Sequence, residues 1–387
     1  MSPWGDSQPE PDAQAVQLRA LYDGALAPDA AARTLRHLHD LLPVRRVRRG
    51  PSLSRLAHRT SPLGPVRFGS GGRAYDLNDH LDAHCVTGLL VLHRGEIVYE
   101  RYVLGADETS LFTSMSMVKS VTTTLVGAAL HDGSIGSLDD PVTRYVTELA
   151  DSAYADVPIR DLLRMRSGVG WNETYTEASS DRRRMLDAQL ANRAGGIIEL
   201  MATLPRVAPS GARFNYSTGE THVVGALVRA AVGEPLAHYL SRKIWAPCGM
   251  EADALWALES TDGLEIGGSG LALTLRDLSR FGELVRADGT IGDHRLVPAG
   301  YLAEATAPGP RDPGDAPYGF MWWPIDTDEY GAVHRSAFQA SGIFGQHLYI
   351  HPEAEVVIAQ TGALALPMGA EPYPEEDCFG AIVAALQ

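Results

Sequence analysis

Apolar positions along the 387-residue chain follow different rhythms in different stretches. From Val86 to Leu92 the chain is mainly apolar. Apolar positions pause at His93–Glu96, then alternate with charged residues from Ile97 to Val103, the period of two that a β-hairpin demands. From Ser116 to His131 the period lengthens. Val118, Val121, Leu125 and Ala128-Ala129 recur at helical spacing, and Asp132-Gly133 supplies the stop. Between 140 and 260 the pattern is mainly helical, with helices predicted over 159–165, 182–192, 220–232 and 236–244 and another over 275–286. Strand character returns at 346–351 and 356–361, around a Pro352 turn, and 378–386 reads as a closing helix. Upstream, residues 1–13 read as a loose tail and 14–48 as helical, ending in a solvated basic stretch at Arg45–Arg49. Residues 50–75, rich in Gly, Pro and Arg, read as an irregular wrap.

Strands at both ends with helices between them predict an α/β (α+β) fold: an antiparallel sheet flanked by helices, with a mainly helical inserted domain. The expected segments are 1–75 for the tail and wrap, 76–140 with 262–387 for the α/β domain, and 141–261 for the helical domain.

Charge narrows the partners. Acidic residues outnumber basic ones 48 to 33, for a formal charge of −15, so phosphate backbones and anionic lipid are repelled. No apolar run approaches the roughly 20 residues of a membrane span. Met1–Ala15 lacks the basic start and apolar core of an export signal, so the expected setting is cytoplasmic. The expected partner is a small-molecule substrate, with a homodimer compatible and neither nucleic acid nor membrane involved. Cys85, Cys248 and Cys378 lie far apart and read as small buried hydrophobes, without a disulfide framework or zinc site.

Of the 33 basic residues only Lys119 and Lys243 are lysines; the rest are arginine. Lysine differs from arginine chiefly in being able to lose its proton inside a protein. Lys119 follows Ser116 by three residues, which on a helix puts amine and hydroxyl on one face. A serine attacks a carbonyl only when something takes its proton. A neutral amine can do so, at a cost of roughly 4 kcal/mol for deprotonation near pH 7, and burial beside Met115, Met117 and Val118 can impose that cost. A second candidate is Tyr216, in Phe214–Thr218 after the turn Pro209-Ser210-Gly211. A phenol near a cationic lysine can be held as phenolate and act as base, then return the proton to a leaving group. Viewed alone, Tyr216 reads equally well as the cap of the next helix.

With these elements in place, the chain resembles the serine β-lactamase and penicillin-binding-protein superfamily, whose signature is the SxxK element. Leu111–Thr122 resembles its nucleophile helix, Ile159–Val169 its Leu-Leu…Ser-Gly segment, and Pro209–Gly219 its Tyr-x-Asn segment. Pro247–Met250, Gly267–Leu271 and Tyr318–Trp323 fall in the order of class C-like members. The likeness runs from about residue 85 to 385 and is strongest to the 6-aminohexanoate-dimer (nylon oligomer) hydrolases, where Asn172–Tyr175 and Gly345-Gln346 find counterparts. It implies a β-lactamase/transpeptidase-like fold and a serine hydrolase, an amidase or esterase working through an acyl-enzyme. Ser116 would be nucleophile, Lys119 its base, Tyr216 the proton shuttle and Tyr175 an aromatic lid touching the scissile amide. The strand box would be Ala340-Ser341-Gly342, with the oxyanion held by the N–H groups of Ser116 and Ile343.

Two departures shape the expectation. Thr218 stands where the family has Asn. Ala340 stands where β-lactamases and D,D-peptidases carry the Lys or His that grips a substrate carboxylate. A small linear amide or ester, such as a 6-aminohexanoate-type oligomer, is therefore expected over penicillin or peptidoglycan. An acyltransferase using the same acyl-enzyme, a D,D-peptidase or β-lactamase, and an inactive ligand-binding protein remain the alternatives. No metal or cofactor is expected. His37-Leu38-His39-Asp40 does not fit metallo-hydrolase spacing. Gly5-Asp6-Ser7 lies in the polar tail. No GxSxG, P-loop or GxGxxG occurs. Trp322-Trp323 is expected in the core or in a pocket wall, and Arg182–Arg184 on a solvated helix face or an attracting rim.

Overall fold

The computed structural model describes residues 11–387; Gly5-Asp6-Ser7 lies outside them. The chain opens with helices α1 (Pro11–Tyr22) and α2 (Pro28–Arg36), strand β1 (Val44–Val47), the hairpin β2 (Arg67–Ser70) and β3 (Arg73–Asp76), and α3 (Leu77–Ala83). The expected hairpin follows as β4 (Val86–His93) and β5 (Glu96–Tyr102), then β6 (Phe112–Thr113) and α4 (Val118–His131). The middle holds α5 (Ile159–Leu163), α6 (Asp181–Leu190), α7 (Gly196–Ala202), α8 (Thr218–Val232), α9 (Leu236–Leu240) and β7 (Ala254–Ala257). The remainder is β8 (Leu271–Leu273), α10 (Leu275–Arg286), β9 (Thr290–Ile291), β10 (His294–Arg295), α11 (Tyr301–Thr306), β11 (Trp323–Pro324), α12 (Thr327–Tyr330), β12 (Phe338–Gly342), β13 (Gln346–His351), β14 (Val356–Gly362) and α13 (Glu375–Leu386).

The main sheet is antiparallel, in the order β11-β12-β13-β14-β4-β5. Its central pairing, Ile358 opposite Val91 and Ala359 opposite Leu90, joins strands from opposite ends of the chain. Side chains alternate between two cores, as a period of two requires. Leu90, Leu92, Leu348, Ile350 and Val357 share one hydrophobic cluster with α4, α8 and α10. Leu89, Val91, Tyr349, Val356 and Ile358 share another with α3 and α13. Because both faces are covered, β4 and β14 are buried along their whole length, which explains their apolar runs Leu89–Leu92 and Val356–Ala359. Helix α4 is buried from Val118 to Ala129. Its hydroxyls bind backbone beyond the helix: Ser120 donates to Met321 O and Thr122 to Gly267 O.

The basic stretch Arg45–Arg49 is solvated in part, with Arg46, Arg48 and Arg49 exposed, but its first half is not coil. It is β1, paired to β7 in a second sheet ordered β1-β7-β8-β6. Arg45 lies 2.7 Å from the buried Glu265 carboxylate, so the charge that suggested solvent is neutralised within the protein. This sheet draws β1 from the segment before the wrap, β7 from the helical segment, and β8 and β6 from the α/β segment. Within the irregular wrap, residues 67–76 form a hairpin turning at Gly71-Gly72, whose positive φ angles of 54° and 78° suit glycine. Cys85 and Cys248 are only partly buried; Cys378 is buried as expected. Among the described residues no helix is long and apolar enough to cross a membrane.

Candidate active site

Ser116 lies in a 3-10 turn (Met115–Met117) that runs into α4, and Lys119 occupies the helix's first turn. The spacing of three brings them together as expected. The Lys119 amine is 2% exposed and donates to Ser116 Oγ at 2.9 Å, Thr218 Oγ1 at 3.0 Å and Gly268 O at 2.8 Å. Gly268 reaches the amine because 267 and 268 lack side chains. A Cβ at 267 would meet Thr221 O at 2.4 Å, and one at 268 would meet Thr218 O at 2.8 Å. Lys243 instead forms an ion pair with Asp132 at 2.6 Å; Lys119 has no such partner among the described residues. Burial drives the Lys119 pKa down to about 7, with Glu173 opposing the fall and Arg182 adding to it.

Tyr216 precedes α8, but the helix is capped by Ser217, whose hydroxyl accepts from Glu220 N. The Tyr216 ring lies 5.1 Å from Lys119 Nζ. Burial, then Glu173, pushes its pKa up, while a hydrogen bond with Ser116 tempers the rise. At neutral pH it is therefore a phenol rather than the phenolate the sequence allowed.

Glu173 was not singled out in the sequence. It sits between the Asn and Tyr of Asn172–Tyr175 and collects the polar groups around the pair. Thr218 donates to it through both N–H, at 2.9 Å, and Oγ1, and Trp171 donates through its indole N–H. Thr218 thus accepts from Lys119 while donating to Glu173, which links amine and carboxylate through one hydroxyl. An isolated loop glutamate carries no periodicity or spacing signal, so only the fold reveals this link.

Opposite Ser116, β12 ends at Gly342. A Cβ there would stand 2.8 Å from Ser114 O and 3.0 Å from Ser116 N, so only glycine lets the strand approach this closely. The N–H groups of Ser116 and Ile343 have no intramolecular acceptor among the described residues. Residues beside both hold left-handed backbone, Met115 at φ 43° and Phe344 at φ 68°, conformations that cost on the order of 1–3 kcal/mol each in non-glycine residues. Gln346 fixes the turn beyond Ile343 by donating to Phe344 O and Gly362 O.

Ser116, Tyr175, Tyr216, Ser341 and Ile343 line one cavity of about 1010 Å³, whose far wall carries Gln339, His347, Glu371, Glu375 and Glu376. Its lining contains no lysine or arginine. Burial pulls the His347 pKa down but Glu375 raises it on balance, and burial pulls the Glu375 pKa up but His347 and His84 drive it well below the usual carboxylate range. The two tryptophans divide: Trp322 is fully buried, while Trp323 lines the cavity 5.6 Å from the Tyr216 ring. Arg182 and Arg183 are not on a solvated face. Both are buried, donating to Tyr22 and Asp23 on or beside α1, and only Arg184 is exposed. His37, His39 and Asp40 come within 4.8 Å of one another at the turn after α2, closer than their spacing suggested.

A serine turn abutting a strand end, with a buried lysine one turn on, is the arrangement the sequence led one to expect of a serine hydrolase. The chain belongs to the beta-lactamase family, whose model matches residues 79–361. It is 29% identical to the 6-aminohexanoate-dimer hydrolase of Paenarthrobacter ureafaciens over 309 residues, covering 74% of this chain and 75% of that one. It is 25% identical to esterase EstB of Burkholderia gladioli over 332 residues, covering 67% and 81%. A solved structure from Bacillus anthracis, provisionally named a 6-aminohexanoate-dimer hydrolase, superposes with a TM-score of 0.80 at 23% identity over 95% of each chain. EstCE1, described as a hydrolase with promiscuous acyltransferase activity, superposes at 0.61 and 17% identity, over 80% of this chain and 96% of that one. The fold is thus the β-lactamase/transpeptidase-like one that the sequence suggested, and the protein is a serine hydrolase.

Proposed function

We propose that the protein cleaves a short linear amide or ester through an acyl-enzyme on Ser116. The observation that carries this reading is the unpaired, buried Lys119 amine 2.9 Å from Ser116 Oγ, with a pKa near 7. Neutral Lys119 takes the hydroxyl proton as Oγ attacks the substrate carbonyl. The N–H groups of Ser116 and Ile343 receive the oxyanion. Tyr216, a phenol facing Ser116, passes the proton to the leaving nitrogen or oxygen, and the carbon–leaving-group bond breaks. Water then adds to the ester by the reverse route and frees the acid. Thr218 and Glu173 balance the charge that Lys119 acquires, and Tyr175 covers the cleft.

The substrate reading rests on the cavity wall. No lysine or arginine lines the cavity, and the carboxylates of Glu173, Glu371, Glu375 and Glu376 that do line it disfavour an anionic substrate end. That speaks against penicillins and for neutral or amino-terminated acyl chains, including 6-aminohexanoate oligomers.

Intact-mass measurement tests the proposal with p-nitrophenyl esters, 6-aminohexanoate oligomers and a penicillin. The expected result is an acyl adduct on wild-type protein with the first two, and none on Ser116→Ala. Rapid turnover of penicillin would favour the β-lactamase alternative. Absence of any adduct, together with no labelling by a fluorophosphonate, would leave a ligand-binding protein. Partition of product with and without an added amine or alcohol separates hydrolysis from acyl transfer.

A further inference from the structure

Helices α1 and α2 lie upstream of residue 79, where the family match begins. They nevertheless pack on the site. Leu18, Leu21 and Tyr22 of α1, and Ala31, Ala32 and Leu35 of α2, share one hydrophobic cluster with Met115, Tyr175, Ile343 and Phe344. That cluster holds the left-handed residue beside each of the two proposed oxyanion donors, Met115 before Ser116 and Phe344 after Ile343. Such conformations persist only where the surroundings over-determine them.

Tyr22 is the centre of this packing. Its ring stacks on Tyr175, with centroids 6.4 Å apart, and meets Phe344 edge-on at 6.3 Å. Its hydroxyl accepts from Arg182 at 2.6 Å. Next to it, Asp23 accepts from Arg183 at 2.6 Å, and Arg183 also donates to Tyr175 O at 3.1 Å. The end of α1 therefore touches the lid residue through its ring and through its backbone.

We propose that the N-terminal helical hairpin is a working part of the active site, a clamp that holds the two oxyanion turns and Tyr175 in register, with Tyr22 as its positioning residue. The hairpin supplies no reacting group. It acts by restricting backbone that would otherwise relax out of the donor geometry, where displacements of an ångström weigh heavily on rate. The proposal rests on the acyl-enzyme reading above.

The test uses full-length variants, with three readouts: the rate of Ser116 labelling by a fluorophosphonate, kcat and KM for a p-nitrophenyl ester, and the urea midpoint. Tyr22→Ala should lower kcat and the labelling rate at least tenfold, with KM within about threefold of wild type. Tyr22→Phe, which keeps the ring contacts, should retain at least a third of wild-type kcat. Leu81→Ala, a deletion in the cluster behind the sheet, should lower the midpoint and leave kcat unchanged. If Tyr22→Ala does not fold, Tyr22→Leu reads the same loss, since it keeps burial and removes the ring. The clamp is overturned if the alanine or leucine variant labels at the wild-type rate, or if the phenylalanine variant is as impaired as the alanine one. Wild-type protein that takes no label at Ser116 overturns the acyl-enzyme reading and the clamp with it. Normal wild-type labelling beside an unimpaired Tyr22→Ala overturns the clamp alone.

Discussion

Replacing Lys119 by methionine should make the protein more stable at neutral pH while abolishing activity. The amine falls from its ordinary 10.5 to about 7 on burial. At 1.36 kcal/mol per pKa unit, holding it in the fold costs about 5 kcal/mol below pH 7. Against this stand three hydrogen bonds, to Ser116, Thr218 and Gly268, each worth about 1 kcal/mol net. The balance favours Lys119→Met by about 1–2 kcal/mol at pH 7. Its pH dependence is the sharper signature. Between pH 7 and 10.5 the unfolded chain binds more protons at this site than the folded one, so the wild type gains stability as pH rises and the variant does not. The variant's advantage should shrink by about 2 kcal/mol between pH 7 and 9. Paired urea titrations of both proteins at several pH values measure this difference, in which contributions common to both cancel. A difference that stays constant from pH 7 to 9 would refute the idea of an amine titrating near neutrality.

Three further outcomes are expected. The acid limb of kcat/KM should have its midpoint near pH 7, where Lys119 becomes neutral, and Glu173→Gln should move that limb to lower pH because the carboxylate that raises the Lys119 pKa is gone; an unmoved or upward-moved limb in steady-state kinetics counts against the link through Thr218. Gly342→Ala should lower kcat about 100-fold with the fold intact by circular dichroism, since its Cβ would press on backbone at Ser114 and Ser116, which can give little; full activity would mean the strand end is not held against the nucleophile turn. Glu220, buried and raised to about 8 while accepting from Ser167 and Tyr154, is protonated at neutral pH. The folded state then binds more protons than the unfolded one between pH 4.5 and 8. The wild type should therefore lose up to about 1.4 kcal/mol per pH unit across that window relative to Glu220→Gln, and parallel stability curves would argue against a protonated Glu220.

The parts of this molecule that were legible in the sequence are local. Ser116 and Lys119 are one helical turn apart, so their meeting is fixed locally, by the 3-10 turn that runs into α4. The central strands are readable because burial on both faces selects apolar runs, Leu89–Leu92 and Val356–Ala359, in which no residue is polar. What the sequence concealed depends on partners far along the chain. Arg45 and Arg182 look like solvent-facing charges until Glu265 and Tyr22 are brought to them. Thr218 looks like a lost asparagine, yet its hydroxyl spans the space between Lys119 and a glutamate 45 residues upstream. The β2–β3 hairpin was obscured because four-residue strands around a Gly-Gly turn carry too few positions to establish a period.

The order of the main sheet has a consequence during synthesis. Strand β4 is made before Ser116, but its neighbour β14 and the Gly342 strand end that meets Ser116 follow more than 200 residues after it. Lys119 likewise waits for Gly268 and for Thr218. A nascent chain that has exposed Ser116 therefore carries an ordinary, hydrated serine beside an ordinary, charged lysine. On the acyl-enzyme reading proposed above, reactivity toward esters would arise only once α8 and the end of β12 have closed on the turn that carries Ser116.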